Sequence, residues 1–293
     1  MKWLCSCVAM LMCLSALEAK VREPGFDSCM RTDPNYIKYS GRNSQEWGRV
    51  KLLFQKYQKK KARSHLAKAK YIIPKKIHLI WLGSSPTEFV QNMFESWKRL
   101  HPTWQVKLWT DEDVWSFHLK NQKAYDTAKN WGEKSDIFRY EILEREGGIH
   151  ADTDFECIKP FDDICKTADF FAGVGYSEGA PFLYNGLIGC RAGHPIIKRC
   201  VDTLPIGNGN SDFLRILNTT GPTFFTRCFR ECLWPENGEA AADLGTVVPF
   251  PVTCFYPFPD TRRESYPSTE AVKRDWVHPE SYAIHYWKMS WLN

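Results

Sequence analysis

Beyond residue 19 the chain offers no apolar run close to the about 20 residues a membrane-spanning helix needs, so residues 20–293 read as a soluble body. It has no GxxxxGK(S/T) sequence and no GxGxxG after a strand-like run, which excludes phosphate binding by a P-loop or a Rossmann turn. There is no GxSxG elbow either. The one close cysteine pair, Cys228 and Cys232, lacks a partner CxxC or HxxxH, so no structural zinc site is expected. Neither an internal repeat nor a low-complexity linker breaks the body, and one domain is the economical reading.

Charge is present but unevenly placed. The net charge is +5, yet residues 51–70 carry eight Lys or Arg and no Asp or Glu, so the remainder is net acidic. Such a run suits anionic lipid head groups or nucleic acid, although a solvated helix face is its commonest use. Residues 1–19 combine Lys2, an apolar stretch from Trp3 to Leu17 and small residues near Ala16 and Ala19, the pattern of a cleavable signal segment; an uncleaved type II anchor is the alternative. Three of the 11 cysteines fall in that leader, and the other eight permit disulfides in an exported chain. Asn218-Thr219-Thr220 is a glycosylation sequon.

Residues 20–70 read as a basic helical stem and 71–293 as the body. The body alternates strand and helix: a strand over 77–82, a helix over 86–100, a strand "QVKLWT", and a helix capped by Asp111. The helix "SDIFRYEILERE" follows, with Ser135 as N-cap and Gly147 and Gly148 as its stop. "IHADTDF", "FFAGVGY", "NGLIGC" and "YAIHYW" read as strands, and "PIIKRCVDTL" and "PTFFTRCFREC" as helices. The proline-rich "PFPVTCFYPFPD" reads as loop or sheet edge. This order predicts an α/β fold whose ligands sit at the carboxyl ends of strands.

The chemistry concentrates in "GGIHADTDFE". On a strand, residues two apart share a face, so His150, Asp152 and Asp154 would project together, the carboxylates about 7 Å apart. Two hard oxygen ligands suit Mg²⁺ or Mn²⁺ carrying substrate phosphates. A charged surface turn is the competing reading, but Asp136 and Arg139, three apart on one helix face just upstream, add a carboxylate and a guanidinium able to hold sugar hydroxyls. A dehalogenase-type phosphatase and an EF-hand both fail, because Glu156 and Cys157 stand where those motifs need other residues. The eight histidines do not cluster with Asp152 in sequence, which weighs against a metal-dependent hydrolase.

The ordered runs "IPKKIHLIWLG", "SWKRLHPTWQVKLWTDED", "SDIFRYEILEREGGIHADTDFECIKPF", "NGLIGCRAGHPI", "TGPTFF" and "HYWKMSW" resemble glycosyltransferase family 32, the sugar-binding-region proteins with a DXD motif. The resemblance spans residue 72 to the C-terminus. It implies a GT-A type fold, with a mixed central sheet flanked by helices, and metal-dependent, retaining transfer of a hexose, mannose first, to a glycan or glycolipid hydroxyl. The donor would be GDP-mannose or a UDP-sugar, with Mn²⁺ or Mg²⁺ as cofactor. Asp154 would ligate the metal, Asp152 would meet sugar or ribose hydroxyls and the metal shell, and Asp136 and Arg139 would bind the donor sugar. Ile80 and Trp81 would hold the base, His285 would complete the metal shell, and Ser290 and Trp291 would meet the β-phosphate. Asn185 and the turn at Gly221 and Pro222 would line the pocket, whereas Trp97, Trp104, Trp109 and Trp287 read as core. His150 departs from the family's usual Tyr.

The expected setting is the lumen of the secretory pathway, ER or Golgi, or the exterior. Residues 51–70 offer an anionic membrane contact, and no nucleic-acid partner is expected. The competing functions are a non-catalytic sugar- or membrane-binding protein with a vestigial donor site and a metal-dependent secreted hydrolase.

Overall fold

Pro74 and Gly83 bracket a run of apolar and β-branched residues that forms β1 (Lys76–Ile80), the second of six strands in the central sheet. The computed structural model describes residues 24–30, 36, 38, 40–177, 179–207, 209, 212–236, 238 and 242–289. The helices are α1 (Phe26–Met30), α2 (Ser44–Arg63), α3 (Glu88–Leu100), α4 (Asp111–Phe117), α5 (Gln122–Thr127), α6 (Trp131–Glu146), α7 (Asp162–Cys165), α8 (Pro195–Thr203), α9 (Phe213–Thr219), α10 (Pro222–Leu233), α11 (Val252–Phe255) and α12 (Thr269–Trp276). The other strands are β2 (Gln105–Trp109), β3 (Gly148–Ala151), β4 (Phe155–Cys157), β5 (Phe170–Ser177), β6 (Ala180–Cys190), β7 (Val247–Phe250) and β8 (Ala283–His285).

The central sheet runs β2-β1-β3-β6-β5-β7, and β4 and β8 form a separate two-stranded ribbon. β1 is parallel to β2 and β3, β6 is antiparallel to β3 and β5, and β7 is parallel to β5. The expected α/β architecture, a mixed central sheet flanked by helices, is therefore what the chain adopts. The proline-rich stretch supplies the edge strand β7, where Pro249 needs no further ladder partner, and then the short helix α11.

The basic segment folds as α2, with Trp47, Val50, Phe54 and Tyr57 buried along one stripe. Phe54 and Tyr57 meet Phe250 of β7 edge-on at 5.8 and 5.3 Å, so the apolar stripe covers the sheet edge while Lys56, Lys59, Lys60 and Arg63 face solvent. Helix α6 has no polar face: residues 136–143 are all buried. Its cap is Asn130, whose side chain accepts from Gly132 N and Glu133 N, five residues before the expected cap Ser135. The cap of α4 is likewise Thr110, in a capping box with Asp113, and Asp111 is the first helical residue. Gly147 ends α6 at φ +61°, and a Cβ there would meet Ala192 N at 2.5 Å, so both backbone conformation and space demand glycine.

Buried histidines join these elements as neutral rings. His78 accepts from Trp109 Nε1 at 3.1 Å and donates through Nε2 to Gly147 O at 2.9 Å. His194 accepts from Ile196 N at Nδ1 and donates to Leu244 O. Burial lowers both to about 4 from an ordinary 6.5. The unfolded chain takes up these protons first as pH falls, so stability is full above about 6.5 and is lost between 6.5 and 4. Chemical denaturation at pH 7.5 and pH 5 should show a loss on the order of 2 kcal/mol per histidine. His78→Asn and His194→Asn should each flatten the profile; an unchanged slope would sink this account.

Candidate donor-binding and metal site

The two aspartates do not lie on a strand. β3 ends at Ala151, and Asp152, Thr153 and Asp154 form a turn closed by Phe155 N donating to Asp152 O at 3.1 Å. The same-face strand geometry expected for His150, Asp152 and Asp154 is thus replaced by a crossing from one sheet to the other. Thr and Asp are turn formers, and that competing signal outweighed the two-residue periodicity. Asp152 stays anchored to the central sheet through its N–H to Gly186 O at 2.7 Å, while Phe155 pairs with His285 in the ribbon.

This crossing brings Asp152, Asp154 and His285 together, with one candidate ligand atom of each within 4.8 Å of the others. His285 Nε2 lies 2.9 Å from Asp154 Oδ1, and Lys288 N donates to Asp154 Oδ2 at 2.8 Å. The His285 ring stacks on Phe155 at 4.4 Å. His150 Nε2 is 3.2 Å from Asp152 Oδ1. Two histidines therefore flank the acids: His150, two residues upstream of Asp152, and His285, which β8 supplies from the far end of the chain. Two carboxylates and an imidazole form a donor set able to hold a divalent cation, and the Nδ1 atoms of His150 and His285 are buried without a protein partner. The same three side chains also make sense as a hydrogen-bonded cluster.

Arg139 sits behind the turn, 4% exposed. Its Nη1 reaches Asp152 Oδ1 at 3.1 Å and donates to Asn185 O at 2.7 Å, and its Nη2 lies 3.1 Å from Asp136 Oδ1. Asp136 also accepts from Asn185 Nδ2 at 2.8 Å and Thr220 Oγ1 at 3.1 Å. Burial raises Asp136 to about 7 and Asp152 adds to the shift, against the opposing pull of Arg139, Thr220 and Asn185. Burial would raise Asp152 too, but Arg139 and His150 outweigh it and hold that carboxyl below its usual range. The two acids sharing one guanidinium therefore differ in proton affinity.

The three aspartates, Arg139, Asn185 and His285 open on one cavity of about 490 Å³ at the carboxyl ends of β1 and β3. Ile80, Trp81, Asp136, Arg139, Asp152, Asp154, Asn185 and His285 line it, as do Gly221 and Pro222. Ser290 and Trp291 lie outside the described residues. Trp97, Trp104 and Trp109 are buried core, and Trp287, half-buried, both packs against the core and lines the cavity, with its ring 4.2 Å from His285. Sequence reasoning missed Tyr140, which donates to Thr220 O at 2.7 Å and accepts from Asn185 Nδ2 at 3.1 Å. It also missed Gly186, where a Cβ would stand 2.7 Å from Asp152 Oδ2. A Tyr one position from Arg139 and a Gly after Asn185 were the available signals.

Residues 87–171 match the family described as "Glycosyltransferase sugar-binding region containing DXD motif". Over 183 residues the chain is 29% identical to "Inositol phosphoceramide mannosyltransferase 3" of Schizosaccharomyces pombe, covering 60% of this chain and 50% of that protein. It is 27% identical over 180 residues to a human "Alpha-1,4-N-acetylglucosaminyltransferase", covering 60% of this chain and 48% of that one. Among solved structures it is similar to "PaToxG Glycosyltransferase", with 18% identity, a TM-score of 0.46, and coverage of 64% of this chain and 80% of that chain. The chain spans about half the length of these two curated relatives. Asp152 and Asp154 lie inside the region that matches the family of glycosyltransferase sugar-binding regions containing a DXD motif.

Proposed function

We propose that the chain is a divalent-metal-dependent, retaining glycosyltransferase that moves a hexose, with mannose as first choice, from a nucleotide sugar to a glycan or glycolipid hydroxyl. The observation that carries this reading is the convergence of Asp152, Asp154 and His285 with the Arg139–Asp136 pair on one cavity. The match of residues 87–171 to the DXD family supports the transferase class, and the name of the yeast relative supports mannose. The human relative's name keeps N-acetylglucosamine as the second donor to test.

Asp154 and His285 would hold the cation, with Asp152 on its near side; the mixed oxygen and nitrogen set favours Mn²⁺ over Mg²⁺. A bound cation would neutralise charge developing on the departing nucleoside diphosphate. Arg139, fixed by three acceptors, orients Asp152 and cannot swing away. Asp136 would accept from sugar hydroxyls, and Ile80 and Trp81 at the end of β1 would hold the base. Ser290 and Trp291 would meet the β-phosphate.

Every carboxylate lining the cavity is already engaged: Asp136 by Arg139, Asn185 and Thr220, Asp152 by Arg139 and His150, Asp154 by His285 and Lys288 N, and Asp260 by Arg263. Among the described residues no carboxylate is singled out as a covalent nucleophile, and in this proposal the acceptor hydroxyl attacks from the face the leaving group departs. The setting would be the secretory lumen, ER or Golgi, or the exterior, with the exposed lysines of α2 against an anionic membrane. Among the described residues no helix is long and apolar enough to cross a membrane, and the leader lies outside them.

A screen of purified chain against GDP- and UDP-sugars should find one donor turned over with Mn²⁺ and silenced by chelator. Asp154→Ala should lose on the order of 10²-fold or more; silence with every donor, together with no metal-dependent nucleotide binding, would favour a vestigial binding site. Gly186→Ala should displace Asp152 and weaken Mn²⁺ binding about tenfold or more, measured at a temperature where the variant is folded; unchanged Mn²⁺ affinity would remove Asp152 from the site. If ionised Asp136 receives sugar hydroxyls, donor affinity should rise as pH climbs through about 7 and then level. Asp136→Asn should abolish that rise, and a flat wild-type profile would refute the role.

A further inference from the structure

Cys29 on α1 and Cys254 on α11 stand more than two hundred residues apart in sequence, yet their thiols are in hydrogen-bonding contact. Both line a second cavity of about 170 Å³, separate from the donor site. The helices that carry them pack together, and Val252 N donates to Met30 Sδ at 3.3 Å, fixing their register one residue beyond Cys29 and two before Cys254. Exposure is 1% for Cys29 and 3% for Cys254, so the pair is sealed once folded. The hydrogen bond from Cys254 lowers the Cys29 thiol below its ordinary value, whereas burial pushes Cys157, Cys165 and Cys190 up. Cys29 and Cys254 thus face one another across packed helices, whereas those three lie within the apolar core.

We propose that Cys29 and Cys254 are a disulfide-forming pair that ties the N-terminal helix to the segment behind the donor site. During folding, before α1 and α11 close over the pair, the Cys29 thiolate attacks a sulfur of an external disulfide, that of a thiol–disulfide oxidoreductase or oxidised glutathione, and expels one thiolate. The Cys254 thiolate then attacks the Cys29 sulfur of the mixed disulfide and expels the second. The two protein thiols lose two electrons, the external disulfide gains them, and the released protons end on its two thiols. The bond braces the site from behind: Cys254 O accepts from Tyr282 N at 2.8 Å, immediately before β8 and His285, and Tyr256 lines the donor cavity.

The test is a peptide map of the full chain secreted from a host cell, alkylated in denaturant without reductant. The expected result is a Cys29 peptide joined to a Cys254 peptide, with both thiols alkylated only after dithiothreitol. Alkylation of both without reductant, or linkage of either to another cysteine, would overturn the proposal. In Cys29→Ala, Cys254 should gain one label; continued protection would equally overturn it. Should that variant not be secreted, the wild-type map decides alone.

Discussion

The arrangement depends on one buried cation. Arg139 has almost no access to water, and its charge is tolerated because Asp136, Asp152 and the carbonyl of Asn185 surround it. Removing one partner from such a cluster leaves a charge stranded, typically at about 3–5 kcal/mol. The guanidinium therefore fixes three pieces of backbone relative to one another: helix α6, the turn after β3, and the middle of β6. Asp152 remains ionised as a result, and Asp136 absorbs the strain of holding two negative charges around one positive.

Around that cluster the fold does what parallel strands do, presenting side chains where the ladder stops. β1 ends at Ile80 and β3 at Ala151, and both endings open on the same cavity. β6 contributes differently, from mid-strand. Asn185 reaches Asp136, and Gly186, lacking a side chain, lets Asp152 sit against the sheet. Here the sheet is floor as well as rim.

Much of this was legible in the residues. Asp136 and Arg139 at helical spacing, and the two acids after a glycine pair, were visible because their relations are local. The α/β order followed from alternating periodicities. Less was legible wherever the deciding contact was distant: Thr220 reaches Asp136 across 84 positions, and no pattern near either residue announces it. The turn at Asp152 was misread because alternation continues through "IHADTDF" while only pairing partners reveal that the chain changes sheets. The stop of α6 was read correctly from Gly147, yet its start was not, since Gly132 and Lys134 obscured the cap at Asn130.

The bond from Lys288 N to Asp154 spans 134 positions, and β8 must pair with β4 before His285 can approach. Contacts of such separation are slow to close and form late in folding. A nascent chain still lacking residues 283–288 therefore has Asp154 without its partners, whatever the state of the central sheet. The order of synthesis thus sets the order of assembly: the Asp152–Asp154–His285 cluster is complete only after the polypeptide has been translated past β8.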